Sequence, residues 1–295
     1  MIKKLPTGPL IPAFLLIGAI ILYPILYTVY VSFTNMNIFN WFTFRVIGFQ
    51  NYRSALFVLD GGFIRALGIT LLWTALNIVL QLSIAFVLAQ WLNHPWLRFR
   101  GVYKTLLLVP WAMPGYVSIL LWRTGMFNTQ FGLLNQVLLQ LGLEGQNWLS
   151  SEGLAFSMLV MVNLWLALPF MIMIMDGAFQ SIDQSYYEAL RLETDGYFAK
   201  VRLITVPLIK PAIAPAVIIT IFTTFKQFDL VYLMILQPGA RTGANLHTVI
   251  TYAYENAFIT NNYGYSAAIS VLIFMMLIGS TMLFQRRSRE AFDGR

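Results

Sequence analysis

Lys226 and Asp229 stand three residues apart within an otherwise apolar stretch, 208–236. A charge at the centre of an apolar medium costs about 2.5–3.5 kcal/mol on insertion scales, so a retained lysine needs a counter-ion, a wet cavity or a route to an interface. Either the two charges neutralise each other, or the ammonium faces an anionic solute. On the same stretch Thr220, Thr223, Thr224 and Gln227 follow the i, i+3, i+4, i+7 spacing of one helix face, and Thr70, Thr74, Asn77 and Gln81 repeat at helical spacing, i, i+4, i+7, i+11, earlier in the chain. Such stripes belong in an interior, where they either bond helix to helix or line a solute path. Asn163, Leu166, Ala167 and Phe170 share that spacing and combine an amide, a small residue and an aromatic ring. That set suits a sugar, whose hydroxyls take hydrogen bonds and whose C–H faces take a ring; from spacing alone, helix packing would use it equally.

Catalytic chemistry finds no foothold. His94 and His247 lie far apart and outside any H-E-x-x-H context, and a lone histidine of this kind reads as structural. No Gly-Lys pair exists, so there is no phosphate-binding loop of the G-x-x-x-x-G-K-[ST] kind. With no cysteine, disulfides, thiolate metal sites and a cysteine nucleophile are excluded. No metal site is expected.

The elements that must carry these residues follow from composition. Of 295 residues, 58% are hydrophobic and 11% charged, against about 25% charged in a soluble domain. The apolar residues gather into runs near the roughly 20 residues a helix needs to cross a bilayer. Backbone groups in lipid must pair internally, and the runs lack the alternation of barrel strands, so a helical bundle remains. Six spans are expected at 10–33, 64–92, 102–123, 154–175, 208–236 and 267–284, in a single all-α membrane domain covering 1–295 without internal repeat. Lys3 and Lys4, then Arg98, Arg100 and Lys104, then Arg191, Lys200, Arg202 and Lys210, then Arg286, Arg287, Arg289 and Arg295 all fall on one side, thirteen of nineteen basic residues. The positive-inside rule makes that side, with both termini, cytoplasmic. The net charge of +7 is thus a topology signal, not a nucleic-acid surface. The first run is too long for a secretory signal and reads as an uncleaved helix. The outer loops near 34–63, 126–153 and 238–264, rich in Gly, Asn and aromatics, suit the interfacial belt.

Between the fourth and fifth spans, the cytoplasmic loop 177–207 carries Ser185-Tyr-Tyr-Glu-Ala-Leu-Arg-Leu-Glu-Thr-Asp-Gly196, then Ile204-Thr-Val-Pro207. Ser185 and Glu188 have capping-box spacing and Gly196 is a natural stop, predicting a helix of about ten residues. Tyr187, Leu190, Arg191 and Thr194 fall on one face. A helix this short is marginal alone, so it lies either on its own bundle or in a partner's groove.

Together these residues resemble the inner-membrane permeases of binding-protein-dependent ABC importers, in particular the MalF-like subunits of the carbohydrate and glycerol-phosphate class. The resemblance covers nearly the whole chain: Ile47-Gly-Phe-Gln-Asn-Tyr52, Trp122 with Met126-Phe-Asn128 and Gly132-Leu-Leu-Asn135, Asn163-Leu-Trp-Leu-Ala-Leu-Pro-Phe170, and Thr251-Tyr-Ala-Tyr with Ala257-Phe258. The family's EAA motif is met by Glu188-Ala189 and Ile204-Thr-Val-Pro207 at the overall spacing. It departs inside, where the motif glycine falls on Thr194 and the nearest glycine is Gly196.

The resemblance implies a six-helix permease core with a cytoplasmic coupling helix between helices 4 and 5, in a bacterial or archaeal cytoplasmic membrane. It implies a second homologous permease, two ATPase subunits that bind ATP and magnesium, an extracytoplasmic binding protein and a sugar substrate; no cofactor is expected in this chain. Carried over residue by residue, sugar contacts fall on Asn163, Leu166, Ala167, Phe170, Thr223, Lys226 and Gln227, and ATPase coupling on Tyr187, Glu188, Ala189, Leu190, Arg191, Thr194 and Gly196. Ala167, Phe170 and Lys226 stand where relatives can have Gly, Tyr and Asn, which should alter the sugar that fits. Rival readings are a secondary transporter, which would show repeated halves, a permease for a sugar acid or glycerol phosphate, and a membrane-embedded enzyme, which would need convergent acids or a metal.

Overall fold

The computed structural model describes residues 11–58, 62–194, 196–236 and 244–293, from 283 onward as backbone only. Lys3, Lys4, Arg241 and Arg295 lie outside the described residues, as do the side chains of Arg286, Arg287 and Arg289. In chain order the helices are α1 (Ile11–Ser32), α2 (Gln50–Phe57), α3 (Gly62–Leu92), α4 (Arg100–Ala112), α5 (Gly115–Met126), α6 (Leu133–Gln140), α7 (Glu152–Gln180), α8 (Gln184–Arg191), α9 (Tyr197–Leu236), α10 (Val249–Phe258) and α11 (Tyr263–Asp293). Among the described residues the one β feature is an isolated bridge from Thr34 to Val46.

Five of these, α1, α3, α7, α9 and the Tyr263–Met282 part of α11, are long and apolar enough to cross a membrane. The expected third span, 102–123, is different: α4 and α5 meet at a 90° bend, so the sixth crossing exists only if the bent pair counts as one. The physical cause is at the joint. Pro114 has no N–H to continue the ladder and forces its predecessor out of the helical region; Met113 is extended at φ −83°, ψ 143°. The fifth span also departs from expectation. It begins as early as Tyr197, and its ladder opens at Lys226–Phe228 before resuming at Asp229. π-helical turns occupy Gly18–Leu22 in α1, Trp122–Met126 in α5, and Val201–Thr205 and Tyr232–Leu236 in α9.

The chain forms two compact units, 1–68 with 249–295, and 69–248. In the first, the Gly48–Asn51 motif has a structural use. Gly48 takes the left-handed φ of +61°, and the buried Asn51 Nδ2 then donates to the carbonyls of Ser32 (2.9 Å) and Thr34 (2.8 Å), closing the end of α1. Tyr52 OH shares a 2.6 Å bond with Ser32 Oγ. Gly264 is held so close to this end that a Cβ would collide with the Thr34 carbonyl oxygen.

In the second unit, Trp73, Leu159 and Met234 sit in one apolar cluster and Ala85, Met171 and Met175 in another. The loop after α5 is organised by one side chain. Buried Asn135 donates to the carbonyls of Asn128, Thr129 and Gln146 and accepts from Gln146 N and Trp148 Nε1. Gly132 lies where a Cβ would collide with backbone carbonyls of Met126 and Asn128. The Met126–Asn135 motif is thus a loop scaffold.

Candidate functional site

The α3 stripe lies inside: Thr70, Thr74, Asn77 and Gln81 are all buried. Asn77 Oδ1 accepts a 2.7 Å bond from Asn163 Nδ2 on α7, and Asn77 Nδ2 returns to the Trp73 carbonyl. Asn163 is buried by this pairing, whereas Leu166, Ala167 and Phe170, farther along α7, remain half-exposed. Gln81 is fully buried, yet among the described residues neither its Oε1 nor its Nε2 has a hydrogen-bond partner. An orphaned buried amide costs about 1–3 kcal/mol. Gln81→Met, close in shape and without that penalty, is therefore expected to raise the unfolding midpoint of the purified protein. A lowered midpoint would show that the amide is satisfied.

The α9 stripe is divided. Thr220 and Thr224 are buried, Thr223 and Lys226 are exposed, and Gln227 is half-buried. Gln227 is not on one continuous face with Thr220, because the helix stops between them. Trp73 Nε1 donates 3.1 Å to the Thr224 carbonyl, a group the ending helix leaves available, and Gln227 N bonds the same oxygen at 3.2 Å. The ion pair open to Lys226 and Asp229 does not form. Lys226 caps the first segment and Asp229 opens the next, where a carboxylate sits well beside exposed N–H groups.

The loop helix is α8, eight residues rather than about ten. Its N-cap is Asp183, not Ser185: the Asp183 carboxylate accepts from Ser185 N at 2.9 Å, and that backbone N–H, with the Ser185 hydroxyl, holds the carboxyl below its ordinary range. Gly196 does not stop α8. The chain turns at Leu192–Thr194, and Gly196, extended at φ −66°, starts α9 instead. Of the α8 residues only Leu190 is buried; Tyr187 is half-buried, bonded to Thr205 Oγ1 at 3.1 Å. Glu188, Ala189 and Arg191 are exposed, Thr194 Oγ1 accepts from Gly196 N, and Leu192 and Phe198 beside them are exposed apolar residues.

Sequence reasoning missed the charge cluster behind α8. Asp176 on α7, its side chain 7% exposed, pairs with Lys104 Nζ of α4 at 2.6 Å and accepts from Asn93 (2.9 Å) and Gln180 (2.9 Å). Lys104, counted above only as a topology marker, is a buried acid's counter-ion. The available signal was a single carboxylate late in an apolar run, which demands a partner.

This architecture has relatives. Residues 9–290 match the family described as binding-protein-dependent transport system inner membrane component. The galactooligosaccharides transport system permease protein GanP of Bacillus subtilis (strain 168) is 32% identical over 97% of this chain and 69% of its own length. The trehalose/maltose transport system permease protein MalF of Thermococcus litoralis is 30% identical over 84% of this chain and 81% of its own. A chain of a bacterial ABC transporter importing the acidic polysaccharide alginate shares the fold at TM-score 0.79, with 19% identity over 96% of this chain and 94% of that one. Matched over nearly its whole length, the chain belongs to the binding-protein-dependent transport system inner membrane components, the permease subunits of ABC importers, which are not themselves enzymes and work with an ATPase partner.

Proposed function

We propose that this chain forms half of the translocation pathway of an oligosaccharide importer, facing a second homologous permease. Two cytoplasmic ATPase subunits hold ATP and magnesium, and an extracytoplasmic binding protein delivers the sugar. Both termini and the loop 177–207 are cytoplasmic, as the basic residues around Arg98–Lys104 and Arg191–Lys210 require. The oligosaccharides named for the relatives above support the substrate class. The observation that carries the pathway is the open ladder of α9 with exposed Thr223 and Lys226 beyond the long apolar run that follows Lys210. Interrupted helices with polar groups in a membrane core are tolerated where they line a cavity. Leu166, Ala167 and Phe170 supply the ring and the small side chain for the sugar's C–H face, with the half-buried Gln227 as an amide and the Oδ1 of Asn163, whose Nδ2 is taken by Asn77, as a further acceptor. Coupling falls to α8, whose one buried residue, Leu190, leaves Glu188, Ala189 and Arg191 with neighbouring Leu192 to a groove of the ATPase.

Asn163→Ala and Gln227→Ala are expected to lower uptake about fivefold to a hundredfold each, because an unpaired sugar hydroxyl costs about 1–3 kcal/mol. Loaded binding protein should still stimulate ATP hydrolysis in these variants, which separates lost contact from misfolding. Unchanged uptake in both and in the double variant would remove the site from this place. A second reading, an anionic sugar, is favoured by one fact: Lys226 is exposed and no ion pair to Asp229 neutralises it. Lys226→Gln distinguishes them, since a neutral sugar is still carried and an anionic one is not.

A further inference from the structure

We propose that α6 lies in the outer leaflet of the membrane with Leu133, Val137 and Leu141 in the acyl-chain boundary, an inference that rests on the outer placement of the loop 126–153 in the reading above. Leu133, Val137 and Leu141 follow the i, i+4, i+8 spacing of one helix flank, and all three are exposed, Leu141 at 69%. Gln136 and Gln140, also exposed, form the neighbouring flank. The remaining side is turned to the protein: Asn135 is buried in its network, and Leu134 packs on the apolar cluster that holds Phe127 and Leu149. The helix thus has three sides, one against the protein, one apolar and one polar. Leu139 is the one exposed apolar residue of α6 outside the stripe, and a single residue of that kind is ordinary on a solvated surface.

Short as it is, α6 is fastened along its length. Asn135 ties it to the carbonyls of Asn128 and Thr129, just after α5, and to Gln146 and Trp148, just before α7. Gly142, at a left-handed φ of +74°, ends the helix with paired bonds from Leu143 N to the Leu138 carbonyl (2.9 Å) and from Gly142 N to the Leu139 carbonyl (3.0 Å). The direction in which the stripe points is therefore fixed relative to α5 and α7.

Lipid is the occupant that this stripe fits. Residues 124–143 contain no charged side chain and no histidine, so no ionised group has to be drawn out of water when the segment enters a leaflet. The helix sits against the last turn of α5, where Leu120 and Leu121 are exposed, so the stripe continues an apolar exterior. Phe131, exposed just ahead of α6, is a ring suited to the headgroup level. A protein partner fits less well. A stable interface takes about 20–30 residues a side and is commonly anchored by Trp, Tyr or Arg, whereas this stripe is aliphatic, narrow and bordered by glutamines. A helix with one apolar flank lying in the plane of the interface is the form that leaflet-bound segments take. Seated there, α6 holds the end of α5 and the start of α7 at one depth through Asn135.

The test uses the whole importer, with its ATPase subunits, in phosphatidylcholine nanodiscs. This chain has no cysteine, so nitroxide labels on Leu133→Cys, Val137→Cys, Leu141→Cys, Gln136→Cys and Gln140→Cys, one at a time, report this subunit once the partner subunits are cysteine-free. All five side chains are exposed, so a label displaces no packing, and sugar uptake by each labelled importer confirms its fold. At the three stripe positions, collisions with oxygen, which partitions into lipid, should exceed those with a water-soluble nickel chelate. At the two glutamine positions the order should invert. Equal access of the chelate to all five positions overturns the proposal. A stripe shielded from both reagents reveals the second permease as its cover, and shielding that appears only with loaded binding protein reveals that protein; either result overturns the lipid assignment. Labelling of Gln140→Cys in intact cells by a membrane-impermeant maleimide keeps the two inferences apart: no labelling removes the outer placement, whereas labelling together with a chelate-accessible stripe removes the leaflet seat alone.

Discussion

Ala189→Pro is expected to strip the ATPase subunits from the purified complex while the permease still inserts and accumulates. Residue 189 lies inside an eight-residue helix, where proline removes a ladder hydrogen bond and clashes with the preceding turn, at about 3 kcal/mol. A helix this short is marginal in water and has one buried anchor, Leu190, so it has no reserve with which to absorb that cost. Recovery of ATPase in a pull-down should fall by well over tenfold, about the factor that 1.4 kcal/mol represents, and uptake should vanish with it. Glu188→Lys, on the exposed side, should weaken recovery without unfolding α8. Normal ATPase recovery together with normal transport in Ala189→Pro would take the coupling role away from α8.

Lys104→Met should be the most damaging substitution for stability. It leaves the Asp176 carboxylate, 7% exposed, without a counter-ion; breaking a buried pair from one side costs about 3–5 kcal/mol. Lys104 is itself 29% exposed, so solvent screening places the loss at the lower end of that range. The double variant Lys104→Met with Asp176→Leu should recover most of it, since two apolar groups strand no charge. Unfolding midpoints of the four proteins in the cycle decide the matter. A single variant as stable as the parent would mean that Asn93 and Gln180 alone hold the carboxylate.

Five long apolar helices were legible in the sequence because a backbone in lipid must pair internally and these runs lack the alternation of barrel strands. The bend at Met113–Pro114 escaped because residues on both sides are equally apolar, so hydropathy runs straight through a joint that only Pro114 marked. The opening of α9 had no glycine or proline to announce it. The carbonyl it frees at Thr224 is met by Trp73 from 151 residues away, a tertiary bond that no local pattern carries. Asn163 was legible as an interior amide, but its partner Asn77 was not. At α8, Ser185 and Glu188 satisfied the spacing of a capping box, yet Asp183, two residues earlier, supplied a carboxylate and the helix began there. Asp176 and Lys104 were each visible as charges at the edge of an apolar run; which charge met which was settled only by the packing of α4 on α7.

The π turn at Val201–Thr205 lies between Gly196 and Pro207, the part of the coupling loop where the glycine is displaced by two positions while the motif's end keeps its place. A π turn spends more residues on a turn than an α turn does. Deleting one residue from an α-helix rotates everything beyond it by about 100° and exchanges its faces; deleting one from a π turn can restore α geometry and leave the later faces where they were. The windows 18–22, 122–126, 201–205 and 232–236 are therefore the positions at which span-forming segments of this chain can shed a residue during divergence and still present the same side chains to the same neighbours.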